Sequence, residues 1–395
     1  MIILFLIVAM AIAIFYLVLN AQELPGTWKF IIIAIEMLIV SQIFIRRYKL
    51  SSELGLVLIK SKKSLDTIDN LAKRKEIFNF LADIGNSIAY GLLSLVIMKK
   101  HTAIKTLVCG LILLGLLTFL VGPTAFVFLF QVLHVGSVDK TTISTMSQDT
   151  DIGLYVIAGI LLVGGLFLFI LFGILFYGAV IIMDIFSTVT QGTAFTTEPG
   201  GTFLLPGINL PFFEGILALI VVLVVHESAH AVLTRIAKIR LLSSGIVLFG
   251  IIPMGAFVEP DEHELGKLDD VRQTRVLIAG STSNLMTSII FFILFVGFVL
   301  IVNASGIGPV EYTTTLGIGE YTFDLVLAPI KFIYMTLGLI FALNFIVGAI
   351  NLLPLPLFDG YRIIDVNMKN KYIVKGLMYI TLAFFILNFV PWFLK

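Results

Sequence analysis

Long apolar runs separated by short polar segments divide the chain along its whole length. An apolar run of about 20 residues is long enough for a helix to cross the hydrocarbon core of a bilayer. By this criterion the sequence predicts spans near residues 2–19, 28–45, 78–98, 104–133, 152–184, 213–238, 274–302, 325–350 and 373–394. The pattern therefore predicts an all-α polytopic membrane protein with about eight or nine transmembrane helices.

Two segments depart from this pattern. The span 78–98 contains Asp83, Asn86 and Ser87, and a helix lying flat in the membrane interface is an alternative for it. Residues 241–260 are rich in β-branched residues and glycine, and the run is too short and broken for a spanning helix, so we predict a short β element. Non-helical backbone is tolerated at membrane depth only where protein or water covers it, which favours a position beside the functional site.

The distribution of Lys and Arg predicts which loops face the cytoplasm, where basic residues collect. Nine basic residues lie in 46–75, six in 235–275 and four in 362–375. None lies in 185–212 or in 303–324. The span 213–238 then runs from the outside inward. The alternation of spans leaves Lys99, Lys100 and Lys105 on the outer side, in conflict with the rule.

Composition agrees with a multi-pass protein of the cell membrane, in direct contact with the lipid bilayer. Hydrophobic residues make up 59% of the chain and charged residues 13%, against about 25% charged in soluble domains. The mean hydropathy is +1.08. A net charge of +1, with no basic tract among aromatics, gives no indication of nucleic-acid binding. The single cysteine, Cys109, excludes an intramolecular disulfide and a cysteine-based metal site.

A metal-binding pattern lies inside one of the apolar runs. His226, Glu227 and His230 form the sequence HESAH, directly after the membrane-like run 216–225. Two histidines four residues apart lie on one face of a helix, where both imidazoles can bind one Zn²⁺ ion. The intervening glutamate is placed to act as the general base for a water molecule. A hydrolase with one zinc ion, sunk in the membrane, is therefore the principal hypothesis.

Two histidines alone hold zinc weakly, so a third protein ligand is expected. Asp359 follows a segment broken by Pro354 and Pro356, and an unpaired aspartate there would be costly unless an ion compensates it. An ion pair with Arg362 is the alternative role for Asp359. Four other residues are competing candidates for the ligand, and a solvated turn explains them more simply: Glu259, Glu262, His263 and Glu264.

The two motifs together, HESAH and Asn351…Pro354, Pro356, Asp359-Gly360, resemble the site-2 protease family of intramembrane zinc metalloproteases, whose motifs read HExxH and NxxPxPxxDG. Further similarity lies in Gly255-Ala-Phe-Val258, Ala279-Gly-Ser-Thr-Ser-Asn284 and Pro206-Gly-Ile-Asn-Leu-Pro211, the last being similar to an archaeal-like branch. The resemblance covers about residues 200–365. It implies that His226, His230 and Asp359 bind zinc, that Glu227 is the general base, and that Asn351 positions the substrate or its developing oxyanion.

The chain departs from the family pattern at two positions. Ala256 stands where the family more often has a second glycine, and Phe358 stands where it has leucine. Both changes are conservative, so they bear on substrate preference and leave the chemistry intact. The loop 303–324 is too short to contain a PDZ domain, and so are the other loops between spans.

The polar stretch 187–211, which contains glycine and proline, separates two groups of spans. We interpret residues 1–190 as an accessory transmembrane region with a basic cytoplasmic loop at 46–77. Residues 191–395 are then the catalytic, site-2-protease-like membrane domain, with its active site toward the cytoplasm.

The resulting functional hypothesis is regulated intramembrane proteolysis, in which transmembrane segments of membrane-anchored proteins are cleaved. A substrate helix must unwind before attack, and the exposed backbone could then pair with the edge of the 241–260 strand at Ile246–Phe249. One alternative is a transporter or receptor-like bundle that binds a metal without hydrolysis. Another is a membrane zinc protease that acts on soluble or prenylated chains. Nothing in the sequence indicates the oligomeric state.

Overall fold

In a computed structural model the described residues are 2–21, 23–24, 26–53, 56–60, 63–97, 103–133, 150–202, 204–207, 209–305, 310–312, 319–321 and 328–394. The helices are α1 (Ile2–Asn20), α2 (Gly26–Tyr48), α3 (Lys63–Ala72), α4 (Lys75–Tyr90), α5 (Ser94–Ile97), α6 (Ile104–Leu116), α7 (Gly122–Leu133), α8 (Thr150–Gln191), α9 (Phe212–Ile236), α10 (Glu262–Leu265), α11 (Asp270–Ala304), α12 (Ala328–Ile350), α13 (Asp359–Asn367), α14 (Lys371–Leu387) and α15 (Pro391–Leu394). The strands are β1 (Ser51–Glu53), β2 (Leu56–Lys60), β3 (Leu241–Phe249), β4 (Ile252–Pro260), β5 (Val310–Tyr312) and β6 (Gly319–Tyr321).

Every stretch that the hydropathy pattern predicts as a span is helical over most of its described residues. Among these residues, seven segments are long and apolar enough to cross a membrane: Lys75–Ile97, Ile104–Phe130, Gly153–Gln191, Phe212–Ile236, Asp270–Ala304, Pro329–Ile350 and Lys371–Leu394. The prediction of a mostly helical protein with several membrane-spanning helices is confirmed by these seven candidate segments. The count of eight or nine spans stays a prediction. Lys99 and Lys100, which conflict with the predicted orientation, lie outside the described residues.

The predicted β element is confirmed as a hairpin, β3 and β4, within a larger antiparallel sheet. The strand order is β1-β2-β3-β4. Ile59 of β2 pairs with Ile246, and Val57 pairs with Leu248. The expectation that Ile246–Phe249 offers an edge to a substrate is therefore wrong, because β2 already occupies that edge. Within the described residues, β4 is the outer strand on the other side.

Helix α11 is the centre of the helical packing, because α4, α9, α12 and α13 all contact it. The contact with α4 includes an ion pair inside the apolar region. The Arg275 Nε and Nη2 atoms donate to the two carboxylate oxygens of Asp83 at 2.7 and 2.8 Å. This pairing offsets much of the desolvation cost of both charges, which explains how the polar segment around Asp83 packs inside the protein.

Helix α8 kinks against the end of α4 at one glycine. Gly165 has φ of 61° and ψ of −158°, outside the helical region. A Cβ atom built there would lie 2.5 Å from the carbonyl carbon and oxygen of Ala89. Only a residue without a side chain fits both the backbone conformation and this close approach.

We expect Gly165→Ala to lower the free energy of unfolding by about 2–4 kcal/mol, because the methyl group strains the positive φ and overlaps α4. Thermal unfolding of the protein in detergent micelles measures this effect. The matched control is Gly173→Ala in the same helix, where a Cβ meets no atom within 4 Å. A Gly165→Ala protein as stable as Gly173→Ala would contradict the assignment of the kink to close packing.

Candidate active site

The structure brings together the three residues that the sequence predicts as metal ligands. The Nε2 atoms of His226 and His230 are 3.1 Å apart. The Oδ2 atom of Asp359 lies 3.3 Å from Nε2 of His226 and 3.2 Å from Nε2 of His230. Among the described residues this is the group of histidine and carboxylate side chains with the geometry to hold a metal ion.

The three separations fit a tetrahedral zinc site. With Zn–N and Zn–O bonds of about 2.0–2.1 Å, two ligands at tetrahedral angles are about 3.3 Å apart. Oδ2 of Asp359 is buried and has no hydrogen-bond partner among the described residues, as expected for an atom whose partner is an ion. Two imidazoles and one carboxylate also leave a fourth position for water or substrate.

Asp359 can offer a negatively charged oxygen to an ion. Burial by itself would raise the pKa of its carboxyl group, but the adjacent imidazoles of His230 and His226 keep that pKa below its ordinary value. The carboxylate reaches the histidines because the loop after α12 turns back on itself. The Gly360 N–H donates to the Asn351 carbonyl at 2.8 Å, which closes the loop and starts α13 at Asp359.

Gly360 has an ordinary helical backbone and is not among the residues with positive φ. A Cβ there would instead overlap the carbonyl groups of Leu352 and Leu353. The structural reason for a glycine at this position is the close approach of α13 to the loop.

One face of α11 forms the floor of the site, with residues four apart at 276, 280 and 284. The Nδ1–H group of His230 donates to the Val276 carbonyl at 2.7 Å, which leaves the Nε2 lone pair free for a metal. A Cβ built on Gly280 would overlap the Nε2 atoms of both histidines. The absence of a side chain at Gly280 therefore keeps open the space beside the ligand atoms.

Glu227 lies between the two histidines in sequence and is outside the ligand group. Helix α9, which carries Glu227, packs against β4, and the backbone N–H of Val258 in β4 lies near the Glu227 carboxylate. This packing places a carboxylate, the three candidate ligands and the outer strand β4 in one region.

Comparison with known proteins assigns this region to a family. Residues 214–391 match the model of peptidase family M50. This family consists of metallopeptidases and includes the site-2 proteases. The resemblance to that family is thus confirmed for the matched segment, the M50 region, and the archaeal-like branch stays a prediction. The apolar helices together with the M50 match point to an integral membrane protein.

A curated relative of the chain is an uncharacterized protein of Methanocaldococcus jannaschii. It is 36% identical over 80 residues, which are 20% of this chain and 22% of the relative. The chain thus matches only about a fifth of that protein's length. No solved structure matches the chain.

The competing ligand candidates lie away from the histidines of the M50 region. Glu259 accepts a hydrogen bond from the Ser243 hydroxyl at 2.5 Å, and Glu262 forms an ion pair with Arg362 at 2.7 Å. Glu264 accepts from the Arg240 N–H at 3.3 Å. Arg362 is therefore paired with Glu262 and not with Asp359. Asn351 contributes its backbone carbonyl to the loop, and the role of its side chain stays a prediction.

Asn284 on α11 lies beside His226 and is a candidate to support that side chain. Its Nδ2 atom lies 3.2 Å from Nδ1 of His226, while its Oδ1 atom is buried and has no partner among the described residues. Turning the amide by 180° lets Oδ1 accept from an Nδ1–H group, which frees Nε2 of His226 for the metal. Gly348 permits this placement, because a Cβ there would lie 3.0 Å from Cβ of Asn284.

We expect Asn284→Leu to weaken zinc binding by about 10- to 100-fold, because His226 loses the acceptor that fixes its tautomer. Asn284→Asp retains an acceptor oxygen and should keep most of the affinity. Competition with a chromogenic zinc chelator measures both. The matched control is Asn344→Leu, since the Asn344 amide donates to Ile340 in its own helix. Equal zinc affinities of Asn284→Leu and Asn344→Leu would show that Asn284 does not support His226 in metal binding.

Proposed function

We propose that this protein is a zinc endopeptidase that cleaves membrane-anchored proteins in or beside their transmembrane segments, near the cytoplasmic face. The observation that carries the proposal is the convergence of His226, His230 and Asp359. The two histidines and Glu227 lie on one apolar helix, α9. All four residues lie within the segment that matches a metallopeptidase family. Regulated intramembrane proteolysis is the process that such an activity would serve.

The chemistry divides between the ion and the chain. A Zn²⁺ ion, when bound, supplies Lewis acidity that polarises a carbonyl group and makes water acidic enough to lose a proton near neutral pH. Glu227 accepts the proton of the attacking water and later delivers it to the leaving amine. The side chain of Asn351 is proposed to orient the substrate carbonyl. His226, His230 and Asp359 hold the ion, and Val276 and Asn284 orient the histidines.

The position of the site along its helix supports cleavage near one membrane face. His230 precedes the end of α9 at Ile236 by six residues, about 9 Å along the axis. The following segment 235–275 is one of the basic loops that predict the cytoplasmic side. A path for water from that side to Glu227 would therefore be short.

The outer edge of β4 supports a peptide in extended form as the substrate. An unwound segment exposes backbone groups that need partners in a low-dielectric environment. Adding it as a further strand beside β4 would satisfy those groups and carry its backbone past Glu227. We therefore propose that the unwound substrate pairs with β4, in place of the pairing with Ile246–Phe249 of β3 that the sequence suggested.

The experiment is cleavage of a single-span reporter that is reconstituted with the protein in liposomes. We expect cuts within or beside the apolar segment, located by mass spectrometry, that disappear with a chelator and return with Zn²⁺. A soluble peptide of the same cleavage sequence is the matched control and should be cut poorly. Efficient cleavage of the soluble peptide or of a prenylated chain alone would refute the substrate class. Metal binding without any cleavage would favour the metal-binding transporter or receptor.

A further inference from the structure

Helix α2 of the accessory region keeps much of its outer face exposed within the described residues. Its inner face consists of buried residues: Ile33, Met37, Val40, Ser41 and Phe44. The Gly250 N–H of the β3–β4 turn donates to the Ser41 hydroxyl at 2.7 Å. On the outer face, Leu38 and Ile39 are 43% and 55% exposed. Because hydropathy predicts a span at 28–45, this outer face needs an apolar occupant in the membrane.

A shallow groove of about 350 Å³ lies along the outer face of α2. It is lined by Leu38, Ile39, Gln42, Ile43 and Arg46. Leu38, Gln42 and Arg46 are four residues apart, so they follow one another along one side of the helix. Eight residues of α-helix cover about 12 Å. Over this short distance the lining changes from apolar side chains to an amide and then to a guanidinium group.

The order of these groups matches the order of the groups in a phospholipid. An acyl chain would contact Leu38 and Ile39, glycerol oxygens would accept from the Gln42 amide, and a phosphate would pair with Arg46. Gln42 is exposed although it belongs to a predicted span, and an amide in hydrocarbon without a partner is costly. A lipid in the groove supplies that partner.

The charge at the end of the groove favours a headgroup with a net negative charge. Arg46 is exposed and has no acidic partner in the part of the chain that the structure describes. Arg47 and Lys49 follow it and are also exposed. Anionic lipids of the cytoplasmic leaflet collect beside such basic residues at the end of a membrane helix. A zwitterionic headgroup would bring its own amine close to the same cations.

We propose that the groove on α2 binds one anionic phospholipid of the cytoplasmic leaflet, with its phosphate paired to Arg46 and its glycerol oxygens bonded to Gln42. The bound chain covers the outer face of the helix whose inner face contacts the β3–β4 turn through Ser41. The lipid thus supports the side of the sheet that lies away from the histidines. The inference concerns the accessory region and does not depend on the proposed peptidase activity.

The test is a lipid titration of the full-length protein in a non-ionic detergent, with bound lipids counted by native mass spectrometry. Phosphatidylglycerol should bind at one saturable site, and phosphatidylcholine with the same chains should bind much more weakly. Arg46→Gln should weaken phosphatidylglycerol binding by about 10- to 100-fold, because it loses charge-assisted hydrogen bonds to the phosphate. Gln42→Leu should weaken it by about 2- to 10-fold, although leucine is more favourable beside hydrocarbon.

The matched control is Arg47→Gln, which removes the same charge one residue further along α2, outside the groove lining. Its binding of phosphatidylglycerol should weaken by less than about fivefold, the effect of general attraction to a basic surface. Both variants should melt at the wild-type temperature in lipid-free detergent. Equal losses of binding in Arg46→Gln and Arg47→Gln would overturn the inference, and so would equal binding of the two lipids.

Two further outcomes would assign the groove to another occupant and also overturn the inference. The first is displacement of phosphatidylglycerol by soluble glycerol phosphate, which would identify a site for free phosphate. The second is a lipid-free dimer that Leu38→Ser disrupts, which would identify an interface with a second copy of the chain. We expect glycerol phosphate to leave the bound lipid in place, because it lacks the acyl chain that contacts Leu38 and Ile39.

Discussion

Replacing Glu227 with glutamine is expected to abolish reporter cleavage while zinc stays bound. Glutamine keeps the size of the side chain and cannot accept a proton from water. A positioned general base contributes about 10²–10⁴-fold to a rate, so the turnover number should fall by that factor. Because Glu227 lies outside the ligand group of His226, His230 and Asp359, the zinc content should remain one ion per chain.

The matched control for this prediction is Glu259→Gln, a substitution of the same kind on β4. Glu259 contacts Ser243 and lies 3.9 Å from Lys60, away from the histidines. Its cleavage rate should stay near that of the wild type. Single-turnover cleavage of the liposome reporter and metal analysis of the same samples measure both quantities. Wild-type turnover by Glu227→Gln would leave the proposed peptidase without its base and would favour a metal-binding transporter or receptor.

Replacing Gly280 with alanine is expected to remove zinc from the protein. The added methyl group would overlap the Nε2 atoms of both His226 and His230, where the ion must approach. To relieve the overlap, the rings must turn away, and the ligands then no longer converge. The affinity should fall by more than about 100-fold, beyond the usual effect of losing a supporting residue. Cleavage of the reporter should be lost with it.

Gly297→Ala, in the same helix α11, is the control for Gly280→Ala, because a Cβ at Gly297 meets no atom within 4 Å. Zinc binding should be unchanged in this variant. The metal-free forms of both variants should melt at similar temperatures, since the histidine rings can move when no ion holds them. Wild-type zinc affinity in Gly280→Ala would show that the ion does not lie between the two histidines.

Local features of the sequence were sufficient to predict most helices and to propose a ligand set. A long apolar run folds into a helix whatever surrounds it in the membrane, because its backbone groups must be paired within the segment. The spacing of His226 and His230 likewise places both side chains on one helical face without any other part of the chain. Asp359 was predicted from its motif, and the structure places its carboxylate beside both rings.

Contacts between distant segments were decided by the tertiary structure. The sequence indicated a strand at 241–260 but not that β2, almost 200 residues earlier, pairs with it and leaves β4 as the outer edge. In the sequence, the charged Asp83 only makes the predicted span 78–98 less apolar, whereas in the folded protein Asp83 forms an ion pair with Arg275. Such pairings depend on which helices pack together, and hydropathy, being a property of each segment alone, contains no information about that.

The sequence by itself determined that this chain is largely membrane helix and which side chains can bind an ion. Only the tertiary structure decided which residues surround them, with Val276, Gly280 and Asn284 on one face of α11. The physical reason is that ligand chemistry belongs to single residues, whereas the orientation of a ligand and the space for an ion depend on neighbours that only the folded chain brings into contact.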